Sequence, residues 1–123
     1  MRVVSLVHQK GGTGKSTLAV ALAASLAARQ QRVLLLDTDY QGTCMDWGSR
    51  FGERLHVPVR SCVQPGSLAE AARQAQALDW LVVDGAAGLS PMTESVLALG
   101  GRALVPIRPA WPDVWALPWL AAL

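Results

Sequence analysis

The chain has 123 residues, which is enough for one domain with one hydrophobic core. Hydrophobic residues make up 51% and charged residues 16%, which excludes a chain that is disordered by composition. The formal net charge of +2 is too small to indicate a nucleic acid or an anionic membrane by itself. The first residues lack a signal-peptide pattern, and the most apolar stretch, residues 17–28, is too short to cross a bilayer. We therefore expect a soluble, cytoplasmic protein.

Apolar runs alternate with helical patterns along the whole chain. A strand is predicted at 32–36, where residues 33–36 are continuous in valine and leucine, as is typical of a strand covered on both faces. Further strands are predicted at 3–7, 57–60, 80–83 and 102–107, and helices at 16–29, 44–54, 67–77, 91–99 and from 112 onward. The alternation predicts an α/β fold, a mostly parallel sheet with helices on both faces, in a single domain over residues 1–123.

Two local features add detail to this prediction. Ser67 follows a Pro-Gly turn and Glu70 comes three residues later, a spacing that predicts a capping box at a helix start. Cys44 and Cys62 are too far apart for a C-x-x-C pair, and no cluster of histidine and cysteine accompanies them. We expect both to be reduced thiols, packed or half-buried, without a metal.

One segment, Gly-Gly-Thr-Gly-Lys-Ser-Thr, follows a predicted strand and opens a helix, which is the context of a phosphate-binding loop. Its glycines let backbone N–H groups converge on phosphate oxygens, and the helix N-terminus adds unpaired N–H groups and a positive dipole end. Lys15 would supply charge to the β- and γ-phosphates, and the Ser16 hydroxyl is placed to bind Mg²⁺. A glycine-rich turn that binds nothing is the alternative, and the Gly-Lys-Ser ending makes it the weaker one. The predicted nucleotide-binding residues are Gly11, Gly12, Thr13, Gly14, Lys15, Ser16 and Thr17.

Lys10 directly precedes these glycines, where an ordinary phosphate loop needs no lysine and a solvated lysine is the plain alternative. Residues 10–17, Lys-Gly-Gly-Thr-Gly-Lys-Ser-Thr, resemble the deviant Walker A motif of the ParA/MinD family of ATPases. The resemblance implies a P-loop NTPase core with ATP as the nucleotide. It also implies that Lys10 reaches across a nucleotide-sandwich homodimer to the partner's phosphates, beside the catalytic Lys15.

Three acids, Asp37, Asp39 and Asp84, follow predicted strands, at the edge where parallel sheets place their ligands. The segment Asp-Thr-Asp-Tyr-Gln, which holds the first two, resembles the family's Walker A′ motif, and Asp84 resembles its Walker B aspartate. The resemblance implies that Asp39 orients or activates the attacking water, with Asp37 and Asp84 supporting Mg²⁺. Each acid alone could equally be a solvated strand-end residue or a helix cap, as we expect for Asp46 and Asp79.

Two later segments extend the resemblance over the whole chain. Residues 84–90, Asp-Gly-Ala-Ala-Gly-Leu-Ser, look like a switch segment of the ParF-type partition ATPases, whose glycines let the loop respond to the γ-phosphate. Residues 106–116 are similar to that branch's proline-rich segment near the dimer interface, and Trp47 fits the same branch. The resemblance implies an ATP-hydrolysing dimerisation switch in plasmid or mobile-element partition, with a partition-type partner protein. Contact with non-specific DNA is implied by the resemblance alone.

The chain departs from the family pattern in three places. Tyr40 stands where the family usually has proline, and Trp111-Pro112 reverses the usual order of proline and aromatic residue. Family members are longer, so the resemblance implies that this chain is truncated at its C-terminus. Trp111, Trp115 and Trp119 are spaced by four residues, which predicts an apolar stripe that needs a core or a partner.

Other functions of related proteins require residues of their own. A membrane-cycling regulator needs a basic amphipathic C-terminal anchor, and no Lys or Arg follows Arg108, so we expect no membrane partner. An iron–sulfur reductase needs paired cysteines beyond the A′ region, where Cys62 stands alone. A small-molecule ligase or synthase with a related phosphate loop remains an alternative, as does a truncated, inactive nucleotide-binding relative.

Overall fold

The computed structural model describes residues 1–8, 14–86, 88–107 and Pro118. Its strands are β1 (Arg2–Leu6), β2 (Val33–Asp37), β3 (Val59–Ser61), β4 (Trp80–Asp84) and β5 (Arg102–Leu104). Its helices are α1 (Lys15–Ala28), α2 (Thr43–Trp47), which continues as a π-helical turn over Gly48–Gly52, α3 (Pro65–Gln74) and α4 (Pro91–Ala98). The strands form one sheet in the order β3-β2-β4-β1-β5, and every described pairing is parallel. This confirms the predicted α/β class.

Helices cover both faces of this sheet, because the buried strands point successive side chains to opposite sides. On one face, Leu34 and Leu36 of β2 share a core with α3 and α4, through Leu68 and Val96 among others. On the other face, residues such as Leu35 pack with α1 and α2. The continuous apolar run of β2 is therefore used on both sides, as the sequence predicts.

The strand register brings distant parts of the chain to one edge of the sheet. Asp37 at the end of β2 is the register partner of Asp84 at the end of β4, and Leu6 at the end of β1 is the partner of Asp84 on the other side. The Thr38 N–H extends this ladder by donating to the Asp84 carbonyl at 3.0 Å. The carboxyl ends of the three central strands thus meet, and the loops that follow them share one edge.

The predicted start of α3 is wrong. The helix begins at Pro65 after Gln64, and no side chain caps it. Proline suits a first helical position because it has no N–H to leave unpaired, so Pro65 starts the helix two residues before the predicted cap at Ser67. Glu70 pairs instead with Arg73 on the helix surface.

Other boundaries differ by a few residues. Strand β3 lies two residues later at its start than predicted, and β5 ends at Leu104 rather than at 107. The helical stretch predicted from 112, with its tryptophan stripe, lies outside the described residues apart from Pro118. Both cysteines are free and buried, as predicted. Among the described residues, no helix is long and apolar enough to cross a membrane.

Candidate functional site

A cleft of about 740 Å³ lies at the carboxyl edge of the sheet. Its walls are the first turn of α1, the segment between β2 and α2, the segment before α3, and the segment that leads from β4 into α4. Most small-molecule and cofactor sites have volumes of about 300–1,000 Å³, so the cleft is large enough for a nucleotide. Open parallel sheets bind their ligands at this edge.

The N-terminus of α1 opens directly onto the cleft. Gly14 is the N-cap and has a φ of 81°, a left-handed conformation that a side chain would disfavour. Within the described part of the chain, no side chain caps this helix. Its first N–H groups and the positive end of its dipole therefore face the cleft, an arrangement that suits an anion such as a phosphate.

Three donors converge on the carboxylate of Asp84, which is fully buried. The Lys15 ammonium lies 3.2 Å from Oδ1, and the Ser16 hydroxyl donates to Oδ2 at 2.6 Å. The Cys44 thiol donates to the same Oδ2 at 3.2 Å. Burial raises the pKa of this thiol, as do the nearby carboxylates of Asp84 and Asp37, so it stays a protonated donor at neutral pH.

Asp37 lies beside Asp84 and is also fully buried. Its Oδ1 accepts from the Asp39 N–H at 3.1 Å and its Oδ2 from the Met45 N–H at 3.0 Å. Burial raises the pKa of Asp37 and its two backbone hydrogen bonds oppose that rise, while the charges of Asp84 and Asp39 add to it. The site therefore concentrates carboxylate charge that a cation would offset.

The donor set fits Mg²⁺. The Ser16 hydroxyl and the carboxylates of Asp37 and Asp84 are hard oxygen ligands, which this ion prefers. In the described ranges, no three His, Cys, Asp or Glu side chains are arranged as a metal cage. Mg²⁺ usually keeps several waters and takes one or two carboxylates together with phosphate oxygens.

Comparison with known proteins points to the family that the sequence motifs resemble. A family model described as an AAA domain matches residues 1–50. The chain is 37% identical over 117 residues to maintenance of carboxysome distribution protein A of Gloeobacter kilaueensis, covering 94% of this chain and 53% of that protein. It is 32% identical over 152 aligned positions to the chromosome-partitioning ATPase Soj of Thermus thermophilus, covering 100% of this chain and 60% of that protein. The chain belongs to the ParA/MinD family. It spans little more than half the length of these two relatives.

Solved structures share this fold. A putative plasmid partition protein of Borrelia burgdorferi bound to AMPPNP superposes with a TM-score of 0.79 at 18% identity, covering 98% of this chain and 68% of that one. The cell division ATPase MinD of Pyrococcus furiosus gives 0.71 at 24% identity, with coverages of 94% and 62%. Cobyrinic acid a,c-diamide synthase of Mycobacterium smegmatis, with bound ATP analogue and magnesium, gives 0.81 at 18% identity, with coverages of 99% and 68%. These similarities show the P-loop fold of the ParA/MinD chain.

The A′ segment of this ParA/MinD chain forms a tight turn beside the cleft. Asp39 accepts from the Gln41 N–H through Oδ1 at 3.0 Å, and the Gly42 N–H donates to its carbonyl at 3.1 Å. Asp39 is partly buried and lines the cleft. Asp37, two residues earlier, is fully buried and accepts a hydrogen bond from the Met45 N–H of α2. Tyr40, which replaces the family's proline, is 78% exposed at the cleft wall.

The segment after Asp84 is fixed at both ends. A Cβ at Gly85 would lie 2.7 Å from the Leu6 carbonyl oxygen, so the close approach of β1 requires glycine there. At the other end, Ser90 caps α4 by accepting from the Thr93 N–H at 3.4 Å, and the Thr93 hydroxyl donates to the Gly88 carbonyl at 2.8 Å. The loop between these anchors forms part of the cleft wall through Ala86.

The structure brings four of the predicted site residues, Lys15, Ser16, Asp37 and Asp84, into one buried cluster. Gly14, Thr17 and Asp39 line the cleft around it, while Lys10, Gly11, Gly12 and Thr13 lie outside the described residues. Sequence reasoning missed Cys44 and Thr38, whose hydroxyl donates to the Asp84 carbonyl at 2.7 Å. These two residues lie 40 and 46 residues from Asp84 in the sequence, and no local pattern predicts their contacts with it.

Proposed function

We propose that this ParA/MinD chain binds ATP with Mg²⁺ in the cleft, hydrolyses it, and uses the cycle as a dimerisation switch in the partition of plasmid or mobile-element DNA. The observation that carries the proposal is the buried Asp84 carboxylate, which holds Lys15 and Ser16 at the start of α1. A lysine and a hydroxyl at a helix N-terminus, backed by a strand-end carboxylate, are the parts that phosphoryl transfer by P-loop enzymes requires.

Phosphate binding would use groups that the nucleotide-free chain already presents. The Lys15 ammonium would turn from Asp84 to the phosphate oxygens, and the N–H groups of the first turn of α1 would donate to them. Mg²⁺, when bound, would neutralise charge on the phosphates, and Ser16, Asp37 and Asp84 supply the oxygens to hold it. Asp39, which lines the cleft, would orient the attacking water.

The switch proposal rests on Lys10 and on the segment after Asp84. Lys10 would reach the phosphates bound to a second copy of the chain and so couple nucleotide binding to homodimer formation. Ala86 and Ser90 line the cleft, and the segment that holds them is anchored at Gly85 and Gly88, so a ligand there would reorder this segment and its surface. Hydrolysis would then release the two copies.

The biological setting is proposed from the relatives. One relative is named for chromosome partitioning and another for the maintenance of carboxysome distribution. For this chain we propose a cytoplasmic partition ATPase that works with a partition-type partner protein and with non-specific DNA. A synthase shares the fold at 18% identity, but two relatives above 30% identity over nearly the whole chain are named for distribution and partitioning, which favours partition.

The test compares nucleotide binding and hydrolysis by the purified chain and by Lys15→Gln. A hydrogen-bonded charge contributes about 1.5–3 kcal/mol, so we expect ATP affinity to fall roughly 10- to 100-fold, with hydrolysis lost. Arg29→Gln is the matched control, because it removes one positive charge from the exposed far end of the same helix and should leave affinity unchanged.

ATP hydrolysis by the unmodified chain is measured with and without DNA. Stimulation by DNA would support a partition role, whereas hydrolysis that responds only to a small-molecule acceptor would favour the ligase alternative. Absence of nucleotide binding by the folded chain would leave the inactive-relative alternative. Equal ATP affinity of the folded Lys15→Gln variant and the original chain would remove Lys15 from the site.

A further inference from the structure

Cys44 contacts the Asp84 carboxylate without lining the cleft. Its thiol is fully buried and lies 3.2 Å from Asp84 Oδ2, the oxygen that also accepts from Ser16. Lys15 and Ser16 line the cleft, but Cys44 does not. The carboxylate is therefore held by two donors that a nucleotide can reach and by one that stays within the core.

The first turn of α2 holds both strand-end carboxylates at once. The Cys44 thiol donates to Asp84, and the N–H of the next residue, Met45, donates to Asp37 at 3.0 Å. The two acids are register partners on adjacent strands. Because α2 also packs in the core through Cys44 and Trp47, this turn ties the two carboxylates to a buried element of the fold.

Ligand binding would draw the Lys15 ammonium away from Asp84 and would engage the Ser16 hydroxyl. In the proposed function, Lys15 would move to the phosphates, while Ser16 would hold the metal ion through an oxygen lone pair and keep its proton for Asp84. A buried carboxylate that loses a charged donor is less stable in its ionised form, and its orientation is less restrained. Of the three described side-chain donors to Asp84, the Cys44 thiol is the one that does not line the cleft, so a ligand there leaves it in place.

We propose that Cys44 is a positioning residue, which keeps the Asp84 carboxylate aimed at the metal position once Lys15 has moved to the phosphates and Ser16 holds the metal ion. The proposal rests on the proposed function and deepens it. Cys44 acts through Asp84 and touches neither nucleotide nor metal. Outer hydrogen-bond partners of this kind orient the groups that hold a metal, and their loss typically costs about 10- to 100-fold in metal affinity or activity.

The experiment measures equilibrium binding of a fluorescent, slowly hydrolysed ATP analogue as Mg²⁺ is titrated, and again in EDTA. For Cys44→Ala we expect the Mg²⁺ concentration at half-maximal effect to rise about 10-fold, while affinity in EDTA stays within about twofold. Cys44→Ser keeps a donor at this position and should return the Mg²⁺ midpoint to within a few-fold of the original. Cys62→Ala removes the other buried thiol, which contacts no carboxylate among the described hydrogen bonds, and should leave the midpoint unchanged.

Two results would overturn the inference alone: an unchanged Mg²⁺ midpoint in folded Cys44→Ala, or an equal loss in Cys44→Ser and Cys44→Ala, which would assign the effect to packing. Circular dichroism and thermal melting without ligand identify variants that fail to fold, and Cys44→Ser preserves the test if the alanine variant does so. Failure of the unmodified chain to bind the analogue at any Mg²⁺ concentration would instead overturn the proposed function, and this inference with it.

Discussion

Replacing Lys15 with methionine should destabilise the nucleotide-free chain as well as weaken nucleotide binding. Methionine keeps an apolar stem of similar length and removes only the ammonium. That ammonium lies 3.2 Å from a carboxylate that is fully buried, and the lysine side chain itself is only 7% exposed. Removing one partner of a buried ion pair generally costs about 3–5 kcal/mol, because the other charge is left uncompensated.

The structure selects the lower end of that range. Asp84 keeps the Ser16 hydroxyl and the Cys44 thiol as donors after Lys15 is changed, so its carboxylate still has two hydrogen bonds. We therefore expect Lys15→Met to lower the free energy of unfolding by about 3 kcal/mol. Adding Asp84→Asn removes the stranded charge while the amide oxygen still accepts hydrogen bonds. The double variant should recover roughly 2 kcal/mol of that loss.

The assay is urea unfolding of the four members of this cycle at neutral pH, without nucleotide or Mg²⁺. The control is the same cycle at Arg50 and Asp46, whose ion pair has a similar N–O distance of 3.4 Å but whose side chains are 65% and 66% exposed. Exposed pairs couple by about 0.5 kcal/mol or less, so the control should be nearly additive. Equal coupling in the two cycles would refute the reasoning, because burial would then have no effect on the Lys15–Asp84 interaction.

Three further predictions address the other site residues and a surface contact. Asp39→Ala should keep ATP binding but slow hydrolysis about 10²-fold, and normal turnover would move the hydrolytic role to another residue. Lys10→Ala should retain single-subunit affinity and lose dimerisation with an ATP analogue in sedimentation, whereas a dimer as strong as the original would contradict the role across the interface. At Asp79, the Arg32 N–H, followed by the guanidinium, holds the pKa of the carboxyl below its ordinary value of 3.8. This contact stabilises the fold above that value and is lost as pH falls through the lowered pKa, so Asp79→Asn should lower the Tm at pH 7 but not in strong acid. A Tm difference that is the same at every pH would exclude charge as its cause.

Local patterns in the sequence predict most of the elements and the chemistry of the site. The continuous Val and Leu run of β2 indicates a strand buried on both faces, because only a sheet between two helical layers hides successive residues. The glycines before Lys15 and Ser16 indicate a loop that opens a helix, and both side chains do reach the buried acid. Asp37 and Asp84 follow strands, and the rule that parallel strands end together is enough to expect them side by side.

The tertiary structure decides what depends on neighbours far apart in the chain. Strand β4 lies between β1 and β2. The hydrophobic periodicity of the sequence does not predict this order, because parallel strands pair across long connections. The same order places Cys44 against Asp84 across 40 residues, and lets α2 hold two acids from different strands. The start of α3 was also decided only in the folded chain. Proline occupies the first helical position there, and Ser67 does not cap the helix. Residue types and spacing thus determine the chemistry that this chain offers, while strand order and packing determine which groups meet, because those contacts are set by burying both faces of one sheet.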